Sequence, residues 1–265
     1  MEFLRVVKRR SLLSEVIYIL LNLALAFAVL IVTWATGSPW LALALVLLSK
    51  WRVLAVRPRY WFAHIEANMV DMIVSFGLVL LIYLAGQTST SYTVVVQIVL
   101  AIVYAGWLVF LKPRTRRVIV AIQAGAAIVV GSMALFSLTY EWPSTLVVLG
   151  MWVIGYASAR HVLVSHSDTD ARLLSLIWGF VSAEIGWLAF HWTIAYSLPF
   201  AAGLKLPQVT LIILGISFLA ERVYSSYVKH GTIRSADIAM PMLLTLGIIM
   251  ILLTLFNAAS IGAAT

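Results

Sequence analysis

The sequence predicts an all-α protein, a polytopic transmembrane helix bundle of about nine spans with its N-terminus in the cytoplasm and its C-terminus outside. Three observations predict it. Hydrophobic residues make up 63% of the 265 and charged residues only 11%, where soluble domains carry about 25% charged residues. Most of the apolar residues fall in runs near the roughly 20 residues that a helix needs to cross a bilayer. If those runs cross in turn, all but one of the 18 lysines and arginines fall on the same side.

The first run, 15–34, is too long for a signal-peptide core and leads into "ATGSPW" rather than a cleavage site, so it is a retained span. The second, 39–56, is the short one. Its apolar part "WLALALVLLS" ends at Lys50, so Lys50 and Arg52 are expected to snorkel to the headgroups. The remaining spans are 69–86, 92–111, 118–138, 143–161, 173–196, 207–223 and 238–258, which make 1–265 a single transmembrane domain. Connections such as "QTSTS" and "TYEWP" are tiny, and no soluble domain, P-loop or repeat interrupts the pattern.

Charge sets the orientation. Arg5, Lys8, Arg9 and Arg10, then Lys50, Arg52, Arg57 and Arg59, then Lys112, Arg114, Arg116 and Arg117 share one side. Arg160, Arg172, Arg222, Lys229 and Arg234 join them, leaving Lys205 opposite. The positive-inside rule makes that side cytoplasmic. The formal net charge of +8 is therefore a topology signal and a grip on anionic lipid headgroups, not a nucleic-acid footprint. Zero cysteines exclude disulfides, thiolate metal sites and cysteine nucleophiles, and nothing in the chain calls for a cofactor or metal.

Polar residues inside the runs are the functional candidates. Pairs of small residues four apart, such as Gly155/Ala159 and Gly179/Ala183, predict close helix packing. Asn22, Gln97 and Gln123 read as interhelical hydrogen bonders. Glu184 lies near mid-membrane in "WGFVSAEIGWLAFHW", with His191 seven residues on and on the same helical face. An intramembrane acid is a functional candidate by default, so the pair is expected to line a substrate or ion path. The competing expectation is a neutral glutamate bonded to a neighbour, with His191 as an interface anchor beside Trp192. A second stripe, His64, Asn68, Asp71 and Ser75, follows helical spacing and reads as one wall of a vestibule or as the wet face of an interfacial helix.

Two further segments carry a resemblance. Lys50 with Arg57-Pro58 gives K-x6-RP, and Arg160, His166 and Asp170 give R-x5-H-x3-D. This pair resembles the first and third signatures of the type 2 phosphatidic acid phosphatase superfamily. The resemblance implies Lys50, Arg57 and Arg160 as phosphate binders, His166 as nucleophile and Asp170 as its orienting partner. The family's middle P-S-G-H motif has no counterpart, since "PRTR" and "PSTL" lack its histidine, and Ala159 stands where the third motif has serine. The segments "RPRYWFAHIEANMVD" and "AERVYSSYVKHG" resemble multi-pass proteins of candidate-phylum bacteria, which implies a bacterial cytoplasmic membrane.

Three expectations follow. The first is a permease-like carrier or a membrane subunit of a larger assembly, with other membrane subunits as partners. The second is a lipid-phosphate phosphatase-like enzyme at the cytoplasmic face. The third is a structural scaffold that needs none of these residues.

Overall fold

The computed structural model describes residues 12–87, 91–139, 142–166, 170–192, 194–198 and 201–255. The first eleven residues, with Arg5, Lys8, Arg9 and Arg10, lie outside this range. So do the centres of "QTSTS" and "TYEWP" and the last three residues of the final expected span. The chain is an all-α helix bundle, and among the described residues eight helices are long and apolar enough to cross a membrane.

Helix α1 (Leu12–Thr36) runs the length of the bundle and turns at Gly37, whose positive φ of 58° suits a residue without Cβ. The second segment departs from a single span. It is broken at Lys50 into α2 (Trp40–Ser49) and a four-residue helix α3 (Trp51–Leu54), and α2 has only ten residues. Ten residues rise about 15 Å, half the hydrocarbon core. The chain nevertheless returns to the end at which α1 began. Tyr18, early in α1, donates its hydroxyl to the Leu108 carbonyl at 3.3 Å. Leu108 lies at the far end of the next long helix but one, beside Lys112, and Lys50 and Lys112 bond the same carboxylate. Lys50, Lys112 and the start of α1 therefore share one end, called here the basic end.

A 3-10 turn (Pro58–Tyr60) leads into α4 (Trp61–Gly86), and α5 (Thr93–Gly106) runs back to the basic end. There α5 widens into a π-helical turn, Trp107–Leu111, with the Lys112 amide bonded to the Trp107 carbonyl at 2.9 Å. Helices α6 (Arg117–Thr139), α7 (Ser144–Ser165) and α8 (Ala171–His191) follow as neighbours. The expected span 173–196 runs beyond the end of α8, and Ala195 and Tyr196 lie in a strand instead. Strands β1 (Ala195–Leu198) and β2 (Ala201–Pro207) form an antiparallel hairpin with Tyr196 opposite Leu206. Its Leu198, Leu204 and Leu206 pack with Leu81, Ala85, Met133 and Ala134, so the hairpin plugs the end of the bundle opposite the basic one. Inter-strand bonds satisfy its backbone, as burial among helices requires. Helices α9 (Gln208–His230) and α10 (Ser235–Leu255) complete the chain, α9 running seven residues beyond the expected span.

Packing follows side-chain size. The face of α8 turned to α7 carries only small residues: Ala171, Ser175, Gly179, Ser182, Ala183 and Gly186. A Cβ on Gly186 would lie 2.6 Å from Met151, and one on Gly77 would lie 2.6 Å from Val130 and 3.0 Å from its carbonyl oxygen. Backbones approach this closely in lipid because dispersion contacts, not water exclusion, hold helices together. The outward faces show Leu20, Ile31, Leu48, Leu243 and many others exposed, an apolar exterior that suits hydrocarbon rather than water. Exposed tryptophans stand at both ends, Trp34, Trp40, Trp142 and Trp192 at one and Trp51 and Trp61 at the other, the positions of an aromatic belt.

Candidate functional site

The basic end holds a buried ionic cluster at the break in the second segment. Asp71 accepts from Lys50 Nζ and, at 2.9 Å, from Lys112 Nζ on the same oxygen. Its other oxygen accepts from Trp107 Nε1 at 3.1 Å and lies 3.5 Å from Ser75 Oγ. Lys50 also donates to Ser75 Oγ at 3.1 Å. The cluster has a sequence cause at each member. The helix break at Lys50 turns its side chain inward, the four-residue step sets Ser75 above Asp71, and the π-turn delivers Trp107 and Lys112 together. Lys50 is 7% exposed, so it does not snorkel. An ammonium in reach of a buried carboxylate gains more from that charge than from a long path to the headgroups. Four donors meet the four acceptor sites of one carboxylate, and the cluster reads as a lock between α2, α4 and α5 rather than an open ligand site.

A second polar group joins α4 to α7. Glu66 accepts from Arg160 Nε at 2.7 Å and from the Tyr156 hydroxyl. Gln123 then ties α6 to its neighbours. Its amide nitrogen donates to the Leu111 and Arg114 carbonyls at 2.6 and 3.0 Å, and its oxygen meets His161 Nε2 at 2.6 Å. Gln97 likewise bonds the Ile82 carbonyl at 3.0 Å across α4 and α5. Asn22 does not act between helices. Its amide bonds Tyr18 one turn back in α1, on an exposed face.

Between α6, α7, α8 and α9 lies a cavity of about 660 Å³. Its walls are apolar, with Ile122, Ile128, Ile177, Trp178, Leu214 and Phe218 prominent. Towards the basic end its lining turns polar with Arg117, His166, Glu221, Arg222, Tyr224 and Ser225. The cavity exists because α8 packs chiefly on α7 while α9 packs on α6 and α10, so α8 and α9 diverge.

The expected site residues are distributed among these places. Asp71 and Ser75 belong to the ionic cluster, whereas His64 is exposed and Asn68 bonds only the His64 carbonyl in its own helix. Lys50 is held by Asp71, Arg160 by Glu66, and His166 lines the cavity edge-on to Tyr224 at 5.4 Å. Arg57 is exposed and Asp170 stands at the start of α8. Lys50 and Arg160 thus pair with different carboxylates, and His166 lies in the cavity wall. Glu184 and His191 line neither cavity. Both are exposed on the outer face of α8, with His191 edge-on to Trp187 at 4.9 Å. Glu184 stands about 20 Å from the start of α8 and about 10 Å from its end.

Sequence reading missed Glu66, Tyr156, Trp107 and Lys112. Glu66 carried a signal, being an acid five residues before Asp71 and on a different side of the helix. The other three became visible only through their partners. Searches of known protein families, curated proteins and solved structures find no match to this chain.

Proposed function

We propose that this multi-pass membrane protein is a membrane subunit of an assembly built through the outer face of α8, and that the partner helix is α8 of a second copy. One observation carries the reading. Glu184 is exposed on the outside of the bundle within an apolar stripe of Leu173, Ile177, Phe180, Trp187 and Leu188. No described residue bonds Glu184, and a lone carboxyl at this depth costs a few kcal/mol against hydrocarbon, so a donor from a neighbouring helix would stabilise it. A second copy inserted in the same orientation carries its own Glu184 at the same depth, within reach of a hydrogen bond between the two side chains. Leu173, Ile177, Phe180, Glu184, Trp187 and His191 alternate steps of four and three, the spacing of a left-handed helix seam.

The absence of cysteine makes the test direct. Phe180→Cys or Trp187→Cys is expected to form a disulfide-linked dimer in native membranes, while Ile102→Cys on the exposed face of α5 is not. Failure of all α8 positions to cross-link would remove the reading.

A further inference from the structure

The cavity between α6, α7, α8 and α9 shares only Ile177 with that seam, and Glu184 lies outside it. We propose that it holds an anionic phospholipid of the surrounding bilayer, its phosphate against Arg117 and Arg222 and an acyl chain between Ile122, Ile128, Leu214 and Phe218.

The lining runs from Arg117 to Ile128 on α6 and from Ser225 to Leu214 on α9, in each case about 16 Å along the helix axis. Charged groups occupy one end and hydrocarbon the rest, the polarity of a membrane lipid in place. The volume of about 660 Å³ falls within the range of small-molecule sites.

The mouth is cationic. Glu221 is countered by Arg222, whose Nε lies 3.6 Å from its carboxylate and whose guanidinium covers the Phe218 ring at 5.2 Å. Arg117 has no ion-pair partner among the described residues, which leaves its charge to the occupant. Ser217 Oγ is buried in the wall without a hydrogen-bond partner among those residues. It stands five residues from Arg222, about 7 Å deeper along α9, where the ester groups of a lipid lie beneath its phosphate. A buried hydroxyl without a partner costs about 1–3 kcal/mol, and an ester carbonyl there would accept its hydrogen bond.

Entry is lateral. A second cavity of about 430 Å³, lined by Leu219, Val223 and Tyr227, shares Trp178, Ala220 and Tyr224 with the first. It opens where α8 and α9 diverge, so a lipid can enter from the bilayer without crossing water.

Native mass spectrometry tests this on full-length protein, delipidated in neutral detergent and given phosphatidylglycerol or phosphatidylcholine of matched chains. Wild type is expected to hold phosphatidylglycerol about ten-fold more tightly, the scale of one charge-assisted bond. Arg117→Gln is expected to erase that preference, Arg117→Lys to keep most of it, and Ala121→Trp to weaken both lipids by filling the chain space. Three results overturn the proposal: an unchanged preference in Arg117→Gln, unchanged binding in Ala121→Trp, or displacement of the lipid by inorganic phosphate. Arg117 is exposed at the first turn of α6, so its variants leave the fold intact and carry the test if Ala121→Trp does not fold.

Discussion

Lys50 and Asp71, 21 residues apart, form a buried ion pair that fastens the break in the second segment to α4. Apolar length alone does not hold α2, which at ten residues is too short to anchor itself across a bilayer. The pair, with Lys112, Ser75 and Trp107 around it, supplies what the missing turns do not.

Removing one partner is therefore expected to cost more than removing both. Asp71→Ala leaves Lys50 buried without its counter-ion, a loss on the order of 3–5 kcal/mol. Thermal unfolding of the purified protein in detergent is expected to show the single variant well below wild type. The double variant Lys50→Met, Asp71→Leu is expected to recover much of the loss. Equal losses in the two would mean that the cluster does not act through charge compensation.

Gln123 closes the ends of three helices at once, through the Leu111 and Arg114 carbonyls and His161. Gln123→Leu keeps most of the volume but strands those groups, and an expected loss of about 1–3 kcal/mol follows. The same unfolding measurement reads it, and a variant as stable as wild type would show that water replaces the amide.

The α4–α6 contact turns on Gly77, where any Cβ meets Val130 and its carbonyl. Gly77→Leu is expected to disrupt the bundle, seen as aggregation on size-exclusion chromatography. Gly106→Leu, with open space at its Cβ position, is expected to elute as wild type. Similar profiles for both would sink the close-packing account.

Glu184→Gln keeps a hydrogen-bonding side chain on α8, whereas Glu184→Leu removes it. On the proposed assembly, the glutamine variant is expected to dimerise as wild type and the leucine variant about five-fold more weakly, the scale of an interhelical hydrogen bond in lipid. Energy transfer between labelled copies in vesicles measures this. Unchanged association in the leucine variant would leave the carboxyl without a role there.

The two ends of the bundle are expected on opposite sides of the membrane, with the basic end inside. In this cysteine-free chain, Thr115→Cys is expected to resist an impermeant thiol reagent in intact cells while Trp142→Cys is labelled. The reverse pattern would overturn the orientation, and equal labelling would overturn the sidedness.

Much of the fold was legible in the sequence because lipid imposes a one-dimensional rule: a span must be long, apolar and internally bonded. That rule located the eight long helices among the described residues, and the small residues of α8 and α7 marked a close seam. It failed at the broken second segment and at β1–β2. A short apolar run such as 195–207 has the composition of a helix end and of a strand alike, and only Leu81, Met133 and their neighbours decided between them.

The site residues divide in the same way. Lys50 and Asp71 stood out as charges in the wrong solvent, yet in separate readings, one as a phosphate ligand and one as a vestibule wall. Glu184 stood out for the same reason, and the sequence by itself determined that it could not lie charged and alone in hydrocarbon. Composition fixes which groups lipid cannot leave alone, because that depends on residue type and depth. Which face each group turns, inward as at Asp71 or outward as at Glu184, depends on helix rotation and on neighbours distant in sequence, and only the tertiary structure decided it.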